Sequence, residues 1–160
     1  MFLPNLLEFQ RASFIKPIST SFFASGTKEI RVWVGFGNIS LRGFILQKLP
    51  ARAVNATYLV EQNGSKRLIK RNLENSGGRN DLVFAELEQL GGFSIPDQCE
   101  NSAPELAEED ADVVIIETIN NGEKRSIKYS GIPLSHQEHA VLVRSICETL
   151  ERRYEINLLR

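Results

Sequence analysis

The chain is poor in the residues that carry most protein chemistry: two cysteines, two histidines, one methionine and one tryptophan in 160 residues. Two thiols, Cys99 and Cys147, are too few for a disulfide-built scaffold, and with no export signal they read as reduced thiols of a cytoplasmic protein. No apolar run approaches the about 18 residues that cross a bilayer, so a membrane partner is not expected. The start is apolar at Phe2, Leu3, Leu6, Leu7 and Phe9, yet Pro4, Glu8, Gln10 and Arg11 interrupt it before a signal-peptide core can form. Gly-x-Ser-x-Gly and Gly-x-x-x-x-Gly-Lys-Ser/Thr are both absent, which removes the common nucleophile elbow and the phosphate loop.

A core is available. Leu, Ile, Val and Phe make up 50 of the 160 residues, and a single domain of this size folds without a metal or a disulfide. The net charge of -1 hides a division: residues 1–80 hold 12 Lys and Arg against 4 Asp and Glu, and residues 81–160 hold 7 against 16. Halves so charged attract one another within one domain or present two surfaces of opposite sign.

Residues 28–35 alternate Ile30, Val32 and Val34 against Glu29, Arg31 and Trp33, the period of a strand, and a second strand is expected over 39–47. Residues 1–27 stand before this hairpin as an extension that could form a strand, cover an edge or wait for a partner. Strands are expected at 56–62 and 66–71 around Asn63-Gly64, a tight-turn pair, followed by a helix opening near Asp81 with Val83, Phe84, Leu87 and Leu90 on its apolar face. The order then returns. Strands at 112–119 and 124–129 flank Asn121-Gly122, and Ser135 with Glu138 forms a capping box for a helix that buries Val143, Ile146, Cys147, Leu150 and Tyr154.

Residues 63–70 and 121–128 share six of eight letters, which reads as a repeated ββα unit over about 56–91 and 112–154. The expected fold is α+β, one domain over 28–154, with about six antiparallel strands and both helices on one face.

Two groups of charge stand out. Between the units, residues 97–112 carry seven carboxylates and no basic residue; Glu105, Glu108, Glu109 and Asp110 are candidate contacts for a basic target, which they would meet by charge-assisted bonds. Lys66, Lys70, Lys124 and Lys128 take matching places in the two hairpins and are candidate phosphate contacts, the basis of an alternative reading as a nucleic-acid-binding accessory protein. The histidines, His136 and His139, share one helical face, but the spacing fits no metalloprotease pattern and a third ligand is not in sight. An enzyme built on them is therefore the less favoured alternative, and no cofactor is implied.

From about residue 56 to 151, the order of hairpin, helix, Gly92-Phe93-Ser94-Ile95-Pro96, hairpin and helix resembles emfourin, a small protein inhibitor of thermolysin-like metallopeptidases. Glu29-Ile30-Arg31-Val32-Trp33 also looks like the opening of uncharacterised bacterial proteins. The resemblance implies a binding protein rather than a catalyst and carries no contact residue with it. The expectation is a non-enzymatic protein-binding domain, of inhibitor or immunity type, acting on a protein partner.

Overall fold

The computed structural model describes residues 2–35, 40–63, 65–96, 113–130 and 138–159. Six strands, β1 (Lys28–Gly35), β2 (Arg42–Lys48), β3 (Asn55–Glu61), β4 (Leu68–Leu73), β5 (Val113–Asn120) and β6 (Glu123–Ser130), form one antiparallel sheet in the order β4-β3-β2-β1-β5-β6. The first hairpin supplies the two central strands, and the two ββα units flank it. Helices α2 (Arg79–Gln89) and α3 (Glu138–Tyr154) follow the outer hairpins. The α+β expectation holds, with one addition: a further helix, α1 (Phe2–Ala12), is built from the amino-terminal extension.

Alternation along the strands divides the core. Ile30, Val32 and Val34 of β1 line up with Leu46, Phe44 and Arg42 of β2 and with Thr118, Ile116 and Val114 of β5. This is the face that α2 and α3 cover, with Val83, Phe84, Leu87, Val143, Ile146, Cys147, Leu150 and Tyr154 buried as the helical spacing predicts. Buried Asn80 ties the layers: its Nδ2 donates to the carbonyls of Val54 and Leu73, and its Oδ1 accepts from the Tyr154 hydroxyl at 2.8 Å. The segment Gly92 to Pro96 leaves α2 along β6, where Arg125 donates to the carbonyls of Phe93 and Ile95 and the Tyr129 hydroxyl donates to that of Pro96.

The opposite face is covered as well, and this decides the burial of β1. Trp33 and Ile115 pack with Leu41, Leu59, Leu68 and Val113 under Leu6 and Phe9 of α1. Glu29, Arg31 and Trp33, which alternate as a polar face should, are thereby all buried.

Two local expectations are corrected. The Asn63 turn is not tight: Glu61 pairs with Leu68, and the connection closes through the Gln62 N–H to the Arg67 carbonyl and the Ser65 N–H to the Gln62 carbonyl. Lys66 therefore lies in a loop and not on β4. By contrast, Asn120 pairs with Glu123 around Asn121 (φ 51°) and Gly122 (φ 83°), the two left-handed residues a two-residue hairpin needs. Finally, α2 begins before Asp81. The Asn80 N–H is capped by the side chain of Asn75, while the Asp81 carboxylate accepts from the Val54 N–H and from the Asn75 amide.

Candidate binding face

The residues after α1 cross the sheet as a strap held at three points. At β4 the Leu68 N–H donates to Ser13 Oγ at 2.8 Å; at β1 Arg31 Nη1 donates to the Lys16 carbonyl at 2.8 Å; at β6 Lys124 Nζ donates to the carbonyl of Ser21 at 2.7 Å and also reaches that of Ser19. Arg31 is shielded from water, where a bond from a cationic donor is worth about 1.5–3 kcal/mol, whereas Lys124 is exposed and its bonds count for less. The strap thus has a fixed course over all six strands, with α1 on one side of it and an open cleft on the other.

Beneath the strap lies a buried charge cluster. Arg31 Nε donates to Glu29 and Arg31 Nη1 stands 3.8 Å from Glu117, whose Oε2 also accepts from Trp33 Nε1 at 2.8 Å and from Gln10 Nε2 at 3.0 Å. Two carboxylates share one guanidinium out of water. Burial pushes the Glu117 carboxyl above its ordinary range, against the pull of Arg31 and of the bonds from Trp33 and Gln10. Gln10 Oε1, also buried in the cluster, accepts no hydrogen bond among the described residues.

The cleft occupies about 330 Å³ over β2, β3 and β4. Glu29 and Arg31 form its floor; Ile15, Ile45 and Leu59 supply apolar wall; Gln47, Asn55, Thr57, Asn72 and Lys70 complete the lining. Adjacent strands bring these together by register, since Ile45 pairs with Thr57, Thr57 with Asn72, Gln47 with Asn55 and Leu59 with Lys70.

The four lysines singled out from sequence share this face but not one patch. Lys66 and Lys70 lie at the β4 edge, and Lys124 and Lys128 on β6; five strand spacings put the edges about 24 Å apart. Lys66 pairs with Glu8 of α1, and Lys124 is spent on the strap. Glu105, Glu108, Glu109 and Asp110 lie outside the described residues, as do Cys99, Ser135 and His136. His139 is half-buried in the first turn of α3, and among the described residues no three His, Cys, Asp or Glu side chains gather as a metal site requires. Among the described residues, no helix is long and apolar enough to cross a membrane.

Cys147 is fully buried between α3 and the sheet, and burial, with Glu151 and Glu148 nearby, pushes its thiol well above the usual range. It is expected to resist alkylation by iodoacetamide in the folded protein and to react at the rate of a free thiol in urea, a contrast that mass spectrometry of quenched samples reads directly.

Sequence reasoning passed over two residues. Phe14 is 89% exposed with φ 55°, and Phe22 is fully exposed; both stand on the strap. Phe14 follows α1 at the position where a helix commonly ends in a left-handed glycine, and the Ile15 N–H to Gln10 carbonyl bond at 2.8 Å completes that ending. Phenylalanine there is disfavoured by its backbone and by its exposure at once.

The chain matches no protein-family model, and no curated protein matches it at a significant level.

Proposed function

We propose that this chain is a protein-binding domain without chemistry of its own, an inhibitor or immunity-type protein that docks on its target through the strap. The observation that carries the reading is Phe14: a large ring in solvent, on a left-handed backbone that costs of the order of 1 kcal/mol, serves nothing within the fold. Phe22 is a second ring in solvent, on ordinary backbone, beyond the crossing where Lys124 holds the carbonyls on either side of Thr20. Rings presented by an anchored backbone lose little freedom on binding, which suits aromatic residues that enter sockets on a partner. Of the exposed charges on the strap and α1, Glu8 is paired with Lys66, while Arg11 and Lys16 are basic and stand beside the rings in sequence, so the fitting partner has apolar sockets with an acidic rim. A membrane suits the arrangement less well, because Leu6 and Phe9 of α1 face the sheet and the rings stand singly rather than on one apolar face. The emfourin-like layout of residues 56–151 supports the same class of function.

The test separates binding from folding. Phe14→Gly is expected to stabilise the protein by about 1 kcal/mol, because glycine accepts the left-handed backbone, and to weaken capture of the partner from a lysate of the source cells. Phe22→Ser should leave stability unchanged and weaken the same capture. Identical capture by wild type and by the double variant would overturn the reading, as would binding to phospholipid vesicles that Phe22→Ser abolishes. A wild-type dimer in sedimentation that Phe14→Gly dissolves would replace the foreign partner with a second copy of the chain.

A further inference from the structure

We propose that the cleft beside the strap binds a small organic anion: a carboxylate set next to an amide and a short apolar side chain. That chemistry is shared by an N-acyl amino acid and by the last residue of a peptide. The inference does not rest on the docking role of Phe14 and Phe22, neither of which lines the cleft.

The argument begins with charge. Three charged side chains line the cleft, Glu29, Arg31 and Lys70. Glu29 has one oxygen taken by Arg31 Nε and the other by Gln47 Nε2, and Arg31 also faces Glu117 at 3.8 Å, so these floor groups, only 2% and 5% exposed, are committed to one another and leave Lys70 as the exposed charge of the lining. Lys70 is exposed at the mouth and has no partner among the described residues. The ligand charge that completes the site is therefore negative, and a carboxylate against an ammonium gains a charge-assisted bond.

The polar lining sets the rest of the ligand. Asn72 accepts from the Thr57 hydroxyl at 3.2 Å through Oδ1, which leaves its NH₂ as a free donor. Gln47 donates to Glu29, which leaves its Oε1 as a free acceptor, and the Asn55 amide makes no hydrogen bond among the described residues. Donors and acceptors of amide type meet an amide N–H and C=O. Lys70 shares a cross-strand row with Leu59, Asn72 one with Thr57 and Ile45, and Asn55 one with Gln47. The ammonium thus stands at one end of the cleft and the free amides follow at steps of two residues, about 7 Å per row. Half-buried Ile45, with the edge of Ile15, forms the surface for a short apolar side chain, and Leu59 backs it from within the core. A volume of about 330 Å³ is at the small end of ligand sites and suits one such residue.

The experiment is titration of the isotope-labelled full chain with N-acetyl-leucine and with its neutral amide, N-acetyl-leucinamide, followed by nuclear magnetic resonance of the asparagine side-chain NH₂ groups. N-acetyl-leucine should shift the signals of Asn55 and Asn72, and the neutral amide should bind about tenfold more weakly, the loss of one charge-assisted bond. Lys70→Met should weaken N-acetyl-leucine by about the same factor, while Lys70→Arg keeps binding. Lys70 is exposed, so neither variant threatens the fold. A short peptide with a free carboxyl-terminal leucine distinguishes the sources: tighter binding than N-acetyl-leucine assigns the cleft to a peptide end, and equal binding assigns it to a free acyl amino acid. Equal affinity for acid and amide, or no effect of Lys70→Met, overturns the proposal, and so does the absence of any shift at millimolar ligand.

Discussion

Replacing Gly43 with valine is expected to destabilise the protein by about 3 kcal/mol or more. Gly43 pairs with Trp33 on β1 and Leu59 on β3, in the row beneath α1. A Cβ at this position would lie 2.5 Å from Trp33 Cζ3, 2.6 Å from Cε3 and 3.3 Å from a Leu59 methyl. The glycine is there for space, because the indole lies over it. Nor can the ring move aside freely, since its Nε1 is bonded to Glu117 at 2.8 Å and no part of it reaches solvent. Displacing it gives up that bond as well as its packing, and leaves a buried carboxylate short of a donor. Alanine at the same site should cost less than valine but still more than 1 kcal/mol, by the same contact. Trp33 is the only tryptophan in the chain, so urea unfolding followed by its fluorescence reports the site and the global transition together. An unchanged midpoint, with an unchanged emission maximum, would mean that the indole finds a second seat at no cost.

Much of the α2 and α3 side of the molecule was legible because local period suffices there. The stripe Val143, Ile146, Cys147, Leu150 and Tyr154 repeats at helical spacing, and Ile30, Val32 and Val34 alternate, so each declares its buried face without knowledge of its neighbour. The other face needed contacts distant in sequence. In α1 the inward residues Leu6 and Phe9 are followed by Gln10, a polar residue that reads as outward. Its burial makes sense only once Glu117, 107 residues away, accepts its amide. Glu29 and Arg31 look like a solvated strand face for the same reason, and it is the strap that buries them. The cleft left no spacing to find: its polar residues come from β1, β2, β3 and β4, and each looks like an ordinary outward position of its own strand. Phe14 was visible as an apolar residue, but neither its exposure nor its positive φ is written in local period. The lysine pairing failed at one point of backbone geometry, the wider loop that takes Lys66 off β4.

Arg31→Met is the second large effect, with an expected loss of about 3–5 kcal/mol at neutral pH, because it strands Glu29 and Glu117 in the interior without a cation. The loss should depend on pH in a definite direction. Burial already holds the Glu117 carboxyl above its ordinary value of 4.5, and Arg31 is the largest influence pulling it back down, so removing the guanidinium raises it further. A carboxyl whose value is higher in the folded state binds its proton more tightly there. Stability is then greatest below the unfolded value, falls as pH rises through the folded value, and levels off above it. Trp33, Gln10 and Glu29 are the other groups that act on Glu117; the first two favour its charge and the third opposes it. Protonation of Glu117 is also accommodated geometrically, since a turned Gln10 amide would set its unpartnered Oε1 3.0 Å from Glu117 Oε2 to accept the new O–H. Urea unfolding of Arg31→Met should therefore show its deficit largest near neutrality and shrinking as pH falls toward 4.5. Glu117→Gln in the wild-type background should flatten the part of the pH profile that Glu117 contributes, and adding it to Arg31→Met should recover stability at neutral pH. A deficit that is the same at every pH would show that Arg31 acts through packing and its bond to the Lys16 carbonyl rather than through the charge of Glu117.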